Sequence, residues 1–425
     1  MASFSIPLTG LDADSTALNT IANNLSNMST TAYKAQTTQF ADLFYQQVGS
    51  TGSGDPIQVG AGVKVSNNET SFTQGSISST GVDTDVALDG NGFFVIDSGS
   101  GSYEYTRAGN FSLTSTGALV SSSGLSVMGY PATNGVVNTN GGLAAITIPV
   151  GQVQQPQATT SFSMTANLNA AASTGTSFPG QVTVYDSLGV SHVVTVTYTQ
   201  TSANTWDYSA SLPASDFSSG TSTPITGTLN FDSSGVLTSV TSGGVTSTVG
   251  TAAGDISSLP LSFSGLSDGA ATLNMNWNLL SSSNTPNISQ VDATSAVSAT
   301  SQDGYAPGQY QSFTIGSDGT VTVTYSNGQK QAVGQLALAN VPNLQGLQKL
   351  GNGDYATTLA SGTASIGTSG SAGLGTLEDG ALEGSNVNIS QEFANLIVAQ
   401  RAFEASSKAV TTFDSVTQET INMIR

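Results

Sequence analysis

Apolar positions follow one period at the two ends of the chain and another between them. From Ile389 they recur in alternating steps of four and three, through Phe393, Leu396, Gln400, Phe403, Ser407, Val410, Asp414, Thr417, Ile421 and Ile424, with Ile397, Phe413 and Val416 beside the seam. That spacing predicts a long amphipathic helix. No Gly or Pro falls inside it, Asn388 with Gln391 offers a capping box, and Arg425 stands where the helix dipole favours a cation. Near the amino end Leu11, Asp14, Leu18, Ile21, Leu25 and Met28 repeat the spacing. This first helix is rich in poor formers such as Asp12, Ser15, Thr16, Asn19 and Asn23, so packing must hold it. Two facing stripes, one at each terminus, predict a coiled coil that closes the chain on itself. A two-helix pair leaves much of each helix in water, which predicts that the ends gain full order when many copies pack together.

Between the helices the period falls to two. Tyr33 to Val48, with Phe40, Leu43, Phe44 and Tyr45, reads as a short helix or extended arm that docks its aromatics, followed by a breaker stretch from Gly49 to Gly62. Short alternating strands run from Val63 to Pro149, with hairpin chemistry at Asp89-Gly90 and Asn91-Gly92. Further strands are predicted at Gln181 to Tyr185, His192 to Tyr198, Thr272 to Asn278 and between Tyr310 and Leu338. One device recurs, a polar turn closed by Gly117, Gly235 or Gly319 between two strands. The fold class is therefore mainly β with paired terminal α-helices (α+β), its nested, discontinuous β-domains joined by linkers to the terminal coiled coil. The expected divisions are a helical domain from 1–32 and 385–425, linker or arm segments at 33–70 and 358–384, an inner β-domain from 71–148 and 285–357, and an inserted outer β-domain at 149–284.

Charge narrows the functional classes. The 425 residues carry 27 Asp and Glu against 8 Lys and Arg, a net charge of −19, with no cysteine and a single histidine. Phosphate binding wants clustered cations, so a nucleic-acid partner is excluded, and the same sign disfavours an anionic membrane surface. No run reaches the ~18 apolar residues of a spanning helix, which argues against membrane insertion. The amino terminus lacks the basic and apolar regions of a cleaved secretory signal, yet the Gly-, Ser-, Thr- and Asn-rich interior has the texture of an extracellular protein. Export by another route would reconcile the two.

Candidate chemistry is sparse. Asp83, Asp85 and Asp89 could offer hard oxygen ligands to calcium, but no EF-hand or nonapeptide spacing accompanies them, and Asp is common at turns. Gly265 to Gly269 matches a nucleophile elbow, although the residues after it read as a strand, and His192 precedes it. One histidine without cysteine leaves no zinc site of ordinary composition. The Gly-rich stretch from Gly49 to Gly62 lacks the Gly-Lys-Ser/Thr ending that grips phosphate. No catalytic, cofactor or metal residues are assigned, and the chain does not read as an enzyme.

Three blocks carry a resemblance. Ala22-Asn23-Asn24-Leu25-Ser-Asn27 with Thr31-Ala-Tyr33-Lys34 resembles the amino-terminal signature of the axial proteins of the bacterial flagellum, the rod and hook subunits. Ala87 to Val95, containing Asp89, Gly90 and Gly92, and Tyr105 to Ser112, containing Arg107, Gly109 and Asn110, resemble that family's first β-block. Leu382-Glu-Gly-Ser-Asn-Val387 and Ala399-Gln400-Arg401-Ala-Phe403 resemble its carboxy-terminal signature. Gly304-Tyr305, Ser326-Asn-Gly328 and Val341 to Leu347, with the inserted β-domain, point to the hook branch. Ala32 departs from the family, which places Gly before the aromatic, so a turn needing positive φ there would be strained.

The resemblance implies a subunit exported without a cleaved signal that polymerises with itself outside the cell into a curved, flexible tube. It implies contact with flagellar rod, hook-cap and hook–filament junction proteins and with the export apparatus. The polymer interface expected from the stripes is Leu11, Leu18, Ile21, Leu25 and Met28 against Phe393, Leu396, Phe403, Val410, Phe413, Ile421 and Ile424. The competing readings are a distal-rod or other axial subunit, and a secreted adhesin or carbohydrate-binding module using Trp206 and Trp277 as stacking platforms.

Overall fold

The computed structural model describes residues 5–44, 46–50, 52, 54–99 and 101–423. The expectations placed on Tyr45, Ile424 and Arg425 lie outside these residues. The chain forms two compact units, one of Met1–Val150, Ser312–Thr324 and Lys330–Arg425, the other of Gly151–Gln311 and Tyr325–Gln329.

The first unit holds both helices, α1 (Ser5–Ser26) and α2 (Ile389–Met423). The polar residues of α1 are tolerated because Thr16, Thr20 and Ser26 donate their hydroxyls to carbonyls four residues earlier. The helix stops where the Asn27 side chain donates to the Asn23 carbonyl. At the start of α2, Asn388 Oδ1 accepts from the Gln391 N–H, which is half of the expected capping box; the Gln391 side chain donates onward to Asn395 Oδ1 instead of back to Asn388. With 35 residues, α2 is about 52 Å long.

After α1, Gln36–Asp42 pairs antiparallel with Val63–Thr70, and Gln46–Ser50 with Pro56–Val59. These ribbons correct the expected docking of aromatics. Helix α1 covers part of the first ribbon, yet Phe40 and Phe44 remain 48% and 93% exposed. Beyond it, a six-stranded sheet interleaves distant segments in the order Gln348–Gly351, Asp354–Ala356, Tyr103–Thr106, Phe93–Asp97, Leu338–Asn340 and Ser365–Gly367. Phe93 to Ile96 are all buried, so this strand reads as a continuous apolar run rather than an alternation. Met128–Thr133 pairs with Lys330–Leu336, a second link between early and late chain.

The second unit is a two-sheet sandwich. A six-stranded meander runs from Ser177–Tyr185 to Val245–Thr248, and a five-stranded sheet is built around Ser161–Asn169. Alternate residues point inward to one core containing Phe162, Tyr198, Trp206, Tyr208 and Trp277. Ile288–Val291 and Ala296–Gln302 pair with Ser161–Asn169, so residues 285–311 lie with this sandwich rather than with the inner β-region expected for them. Their backbone ladders decide the placement, because Ser- and Thr-rich strands carry little apolar signal. The strands that enter and leave the unit are adjacent, with Val153 opposite Gln309 and Gln154 opposite Gly308. Gly117, Gly235 and Gly319 close their turns at φ of 81°, 78° and 86°, a left-handed conformation that favours glycine.

Candidate functional site

The helices meet along small residues. A Cβ at Gly10 would lie 3.3 Å from Ser406 Oγ, and Ser406 donates to Asp14 Oδ2 at 3.0 Å. Further along, Ala17 and Ile21 share a groove of about 330 Å3 with Asn395, Ala399 and Ala402. Rising numbers on α1 thus meet falling numbers on α2, and the pair is antiparallel. In this register α2 runs about 12 residues, some 18 Å, past Ser5.

The seam therefore keeps Asp14 and Ile21 of the expected stripe, but Gly10, Ala17, Ala399 and Ser406 stand on it in place of the expected Leu11, Leu18, Gln400 and Ser407. On its other side α1 buries Ala13, Thr20 and Asn24 against the ribbon, where Thr38 Oγ1 donates to Thr20 Oγ1 at 2.9 Å. Polar residues can face inward because strand 36–42 satisfies them, and the larger apolar residues are displaced outward. Leu11, Leu18, Ile21 and Leu25 are half-buried and Met28 is exposed. On α2, Leu396, Phe403, Val410 and Phe413 are half-buried, while Phe393, Ile397, Val398, Val416 and Ile421 are exposed. No described residue of α2 is fully buried. Gln400 is exposed, and Arg401 makes only an exposed pair with Glu404 at 3.1 Å, worth little.

Beneath the helices lies a buried ionic latch. Glu383 Oε1 accepts from Lys34 Nζ at 2.7 Å and from the Gly75 N–H at 2.8 Å, and Oε2 accepts from Arg107 Nε at 2.6 Å. The side chains of all three charged residues are at most 6% exposed. Arg107 directs three of its remaining donors to the carbonyls of Leu88, Gly90 and Gly92, at 2.7 to 2.8 Å. Burial opposes ionisation of Glu383, but Arg107, Lys34 and the Gly75 amide outweigh it and hold its carboxyl below the usual glutamate range. Burial lowers the Lys34 pKa, and Glu383 only partly restores it.

The latch accounts for Lys34, Gly90, Gly92 and Arg107 among the signature residues, and neighbouring contacts hold several others. Asn24 Oδ1 accepts from the Gln36 N–H and Tyr33 hydroxyl, its Nδ2 donates to the Gln36 carbonyl, and Asn23 Nδ2 donates to the Tyr33 oxygen. Gly109 packs so closely on the Val86 carbonyl that no Cβ would fit. Asp89 accepts from Gln74 and Asn110 bridges to Asp85, so these positions set turns. Ala32 adopts φ 53° and donates its N–H to the Glu383 carbonyl. Ala22 is exposed and stands apart. Sequence reasoning passed over two members, Glu383 and Asn386, whose side chain accepts from the Ala35 N–H and donates to the Ser71 carbonyl. Both stand within the third signature block, and the lone acid there is the natural complement of the lone base in each of the other two.

The acidic trio at Asp83, Asp85 and Asp89 does not converge, since Asp85 accepts from Thr80 and Asp89 from Gln74. Trp206 and Trp277 are both 0% exposed, which corrects the reading of them as surface stacking platforms. Among the described residues, no helix is long and apolar enough to cross a membrane.

Comparison with known proteins gives matches along nearly the whole chain. Family models match residues 7–34 (flagella basal body rod protein), 87–170 (flagellar hook protein FlgE/F/G D1 domain), 157–305 (flagellar basal body protein FlaE D2 domain) and 378–423 (flagellar basal body rod FlgEFG protein C-terminal). The flagellar hook protein FlgE of Salmonella typhimurium is 36% identical over 99% of this chain and 100% of its own. That of Escherichia coli is 35% identical over 99% of both chains, and that of Treponema pallidum 32% over 98% of both. The crystal structure of Helicobacter pylori flagellar hook protein FlgE2 has the same fold, with a TM-score of 0.53 and 16% identity over 71% of this chain and 99% of that one.

Proposed function

The chain belongs to the flagellar hook protein family, and from that premise we propose that it builds the hook by packing its terminal helices among copies of itself. It is a structural subunit, not an enzyme. The observation that carries the reading is α2, a helix about 52 Å long on which Phe393, Ile397, Val398, Val416 and Ile421 stay in water and no described residue is fully buried. At about 3.6 residues per turn these five point to several sides of the helix, so apolar surface is left open around it, as contact with more than one neighbour requires. Packing it against neighbours at ~25 cal/mol per Å2 of apolar surface offsets the cost of ordering the terminal helices.

The polymer is a curved tube that bends while transmitting torque. Helices form its inner wall and hold the subunits in register; the β-units, with Ser-, Thr- and Asn-rich surfaces, slide past one another in small shear steps. The contact is heterologous and does not close, as a helical filament requires. The subunit leaves the cell through the flagellar export apparatus, and its ends meet the rod, hook-cap and junction proteins. Electron microscopy of the purified protein under polymerising conditions tests the reading. Short curved tubes are expected, and a preparation that stays monomeric across salt and precipitant series would overturn it.

A further inference from the structure

The second unit has a singular charge inventory. Its segments contain eight aspartates, no glutamate, no lysine, no arginine, and the chain's single histidine. His192 is therefore the one side chain in the unit able to carry positive charge. It lies on Ser191–Ser202, where strand alternation turns it inward with Val194 and Val196, and it is 5% exposed.

Three carboxylates from three separate segments converge on its ring. Asp186, in the turn before the histidine strand, has Oδ2 3.1 Å from Nε2 and is itself 0% exposed. Asp216, at the end of the 3-10 helix Ala214–Asp216, has Oδ2 2.8 Å from Nδ1. Asp268, in the turn between Ser258–Phe263 and Leu273–Asn278, has Oδ2 3.7 Å from Nε2. Among the described residues these are the charged groups within 4 Å of the ring, and all are acidic.

A neutral imidazole has one N–H, so it can donate to Asp216 or to the Nε2 side, not to both. Whichever nitrogen is bare would present its lone pair to a carboxylate. The imidazolium donates from both nitrogens, and both of its hydrogen bonds are charge-assisted. We propose that His192 is a protonation-dependent clamp of the second unit, which in its charged form ties the 186 turn, the 3-10 helix at 216 and the turn at 268 onto one strand, and loses half its hold on deprotonation. The inference does not depend on the assembly reading.

The direction of the pH effect is set by the balance at the ring. Burial pulls the imidazole pKa down, but the hydrogen bonds and charges of Asp216 and Asp186 outweigh it and raise it above the ordinary value. A raised folded-state value means that the stabilisation is complete below the unfolded-chain value of about 6.5 and fades as pH climbs through the folded-state value. Asp186 acts in the opposite window. Burial opposes its ionisation, but bonds from His192 and from the Val190 and Leu188 amides hold it low, so its contribution is lost as pH falls through that lowered value.

The composition of the chain makes the test simple, because one histidine gives one imidazole resonance, and both tryptophans lie in this unit's core. In the full-length protein the imidazole signal should titrate with a midpoint above about 6.5, and Asp216→Asn should lower that midpoint. The urea midpoint of the tryptophan transition should fall between about pH 6 and about pH 9 in the parent and stay level in His192→Gln. A midpoint at or below the ordinary value, or equal pH slopes in the two proteins, overturns the clamp. So does a resonance that titrates only after EDTA and is silenced by added zinc chloride, for then the ring would hold a metal ion instead of a proton.

Discussion

Replacing Glu383 with Gln probes the latch at almost constant volume. The amide cannot neutralise Lys34 and Arg107, whose side chains are only 2% and 6% exposed. Removing one partner of a buried ion pair destabilises by about 3–5 kcal/mol, because the other charge is left uncompensated. Lys34 can shed its proton comparatively easily, since burial already lowers its pKa, so the expected loss is near the lower figure, about 3 kcal/mol. The assay is hydrogen exchange on the full-length protein, read at the amides of Ala32 and Gly75, which donate to Glu383, and of Gly384. About 3 kcal/mol corresponds to exchange roughly 100-fold faster. Tryptophan fluorescence serves as the internal control, since both tryptophans lie in the other unit and their urea transition should not move. The acid limb gives a second readout. A depressed carboxyl contributes stability above its unfolded value of about 4.3 and loses it as pH falls through the folded value, so that part of the acid transition should vanish in the variant. A loss below about 1 kcal/mol, or an unchanged acid limb, would show that the ion pair is not what holds the linkers down.

Three further outcomes are expected. Phe393→Asp, on the exposed face of α2, should abolish tube formation seen by electron microscopy while shifting monomer stability by no more than about 0.5 kcal/mol in urea titration. Ala32→Gly relieves about 1–2 kcal/mol of left-handed strain at φ 53°, but gives up a buried methyl worth about 0.8 and adds about 0.4–1 kcal/mol of unfolded-chain freedom, so the same titration should find it close to neutral. Gly109→Ala drives a methyl into the Val86 carbonyl and should destabilise the first unit by about 3 kcal/mol, measured by exchange at the Val86 amide.

Much of this architecture was legible because local chemistry and global fold agree. The helical period at 389–423, the Asn388 cap, and the turn glycines at 117, 235 and 319 all mean in the structure what they mean in the sequence. Legibility failed where polar atoms decide the packing. Thr20 and Asn24 face inward because strand 36–42 satisfies them, which rotates α1 away from the phase its leucines suggest. The pairing of Ile288–Val291 and Ala296–Gln302 with Ser161–Asn169 is likewise a backbone matter. The latch was half visible: Lys34 and Arg107 stood in their blocks, but a carboxylate 276 residues beyond Arg107 in sequence becomes their partner only in three dimensions. The convergence on His192 had no signature at all, because its three aspartates come from turns whose spacing obeys no motif.

The pairing of Val153 with Gln309 has an evolutionary consequence. A segment whose first and last strands touch can be excised or exchanged for another cassette at little loop-closure penalty, because the stumps are already neighbours. Lineages can therefore diversify residues 155–307 in length and surface as their surroundings demand, while the termini, answerable to every sister molecule at once, remain under a common constraint. Recombination has a ready-made docking port, and insertions and deletions among relatives should accumulate there.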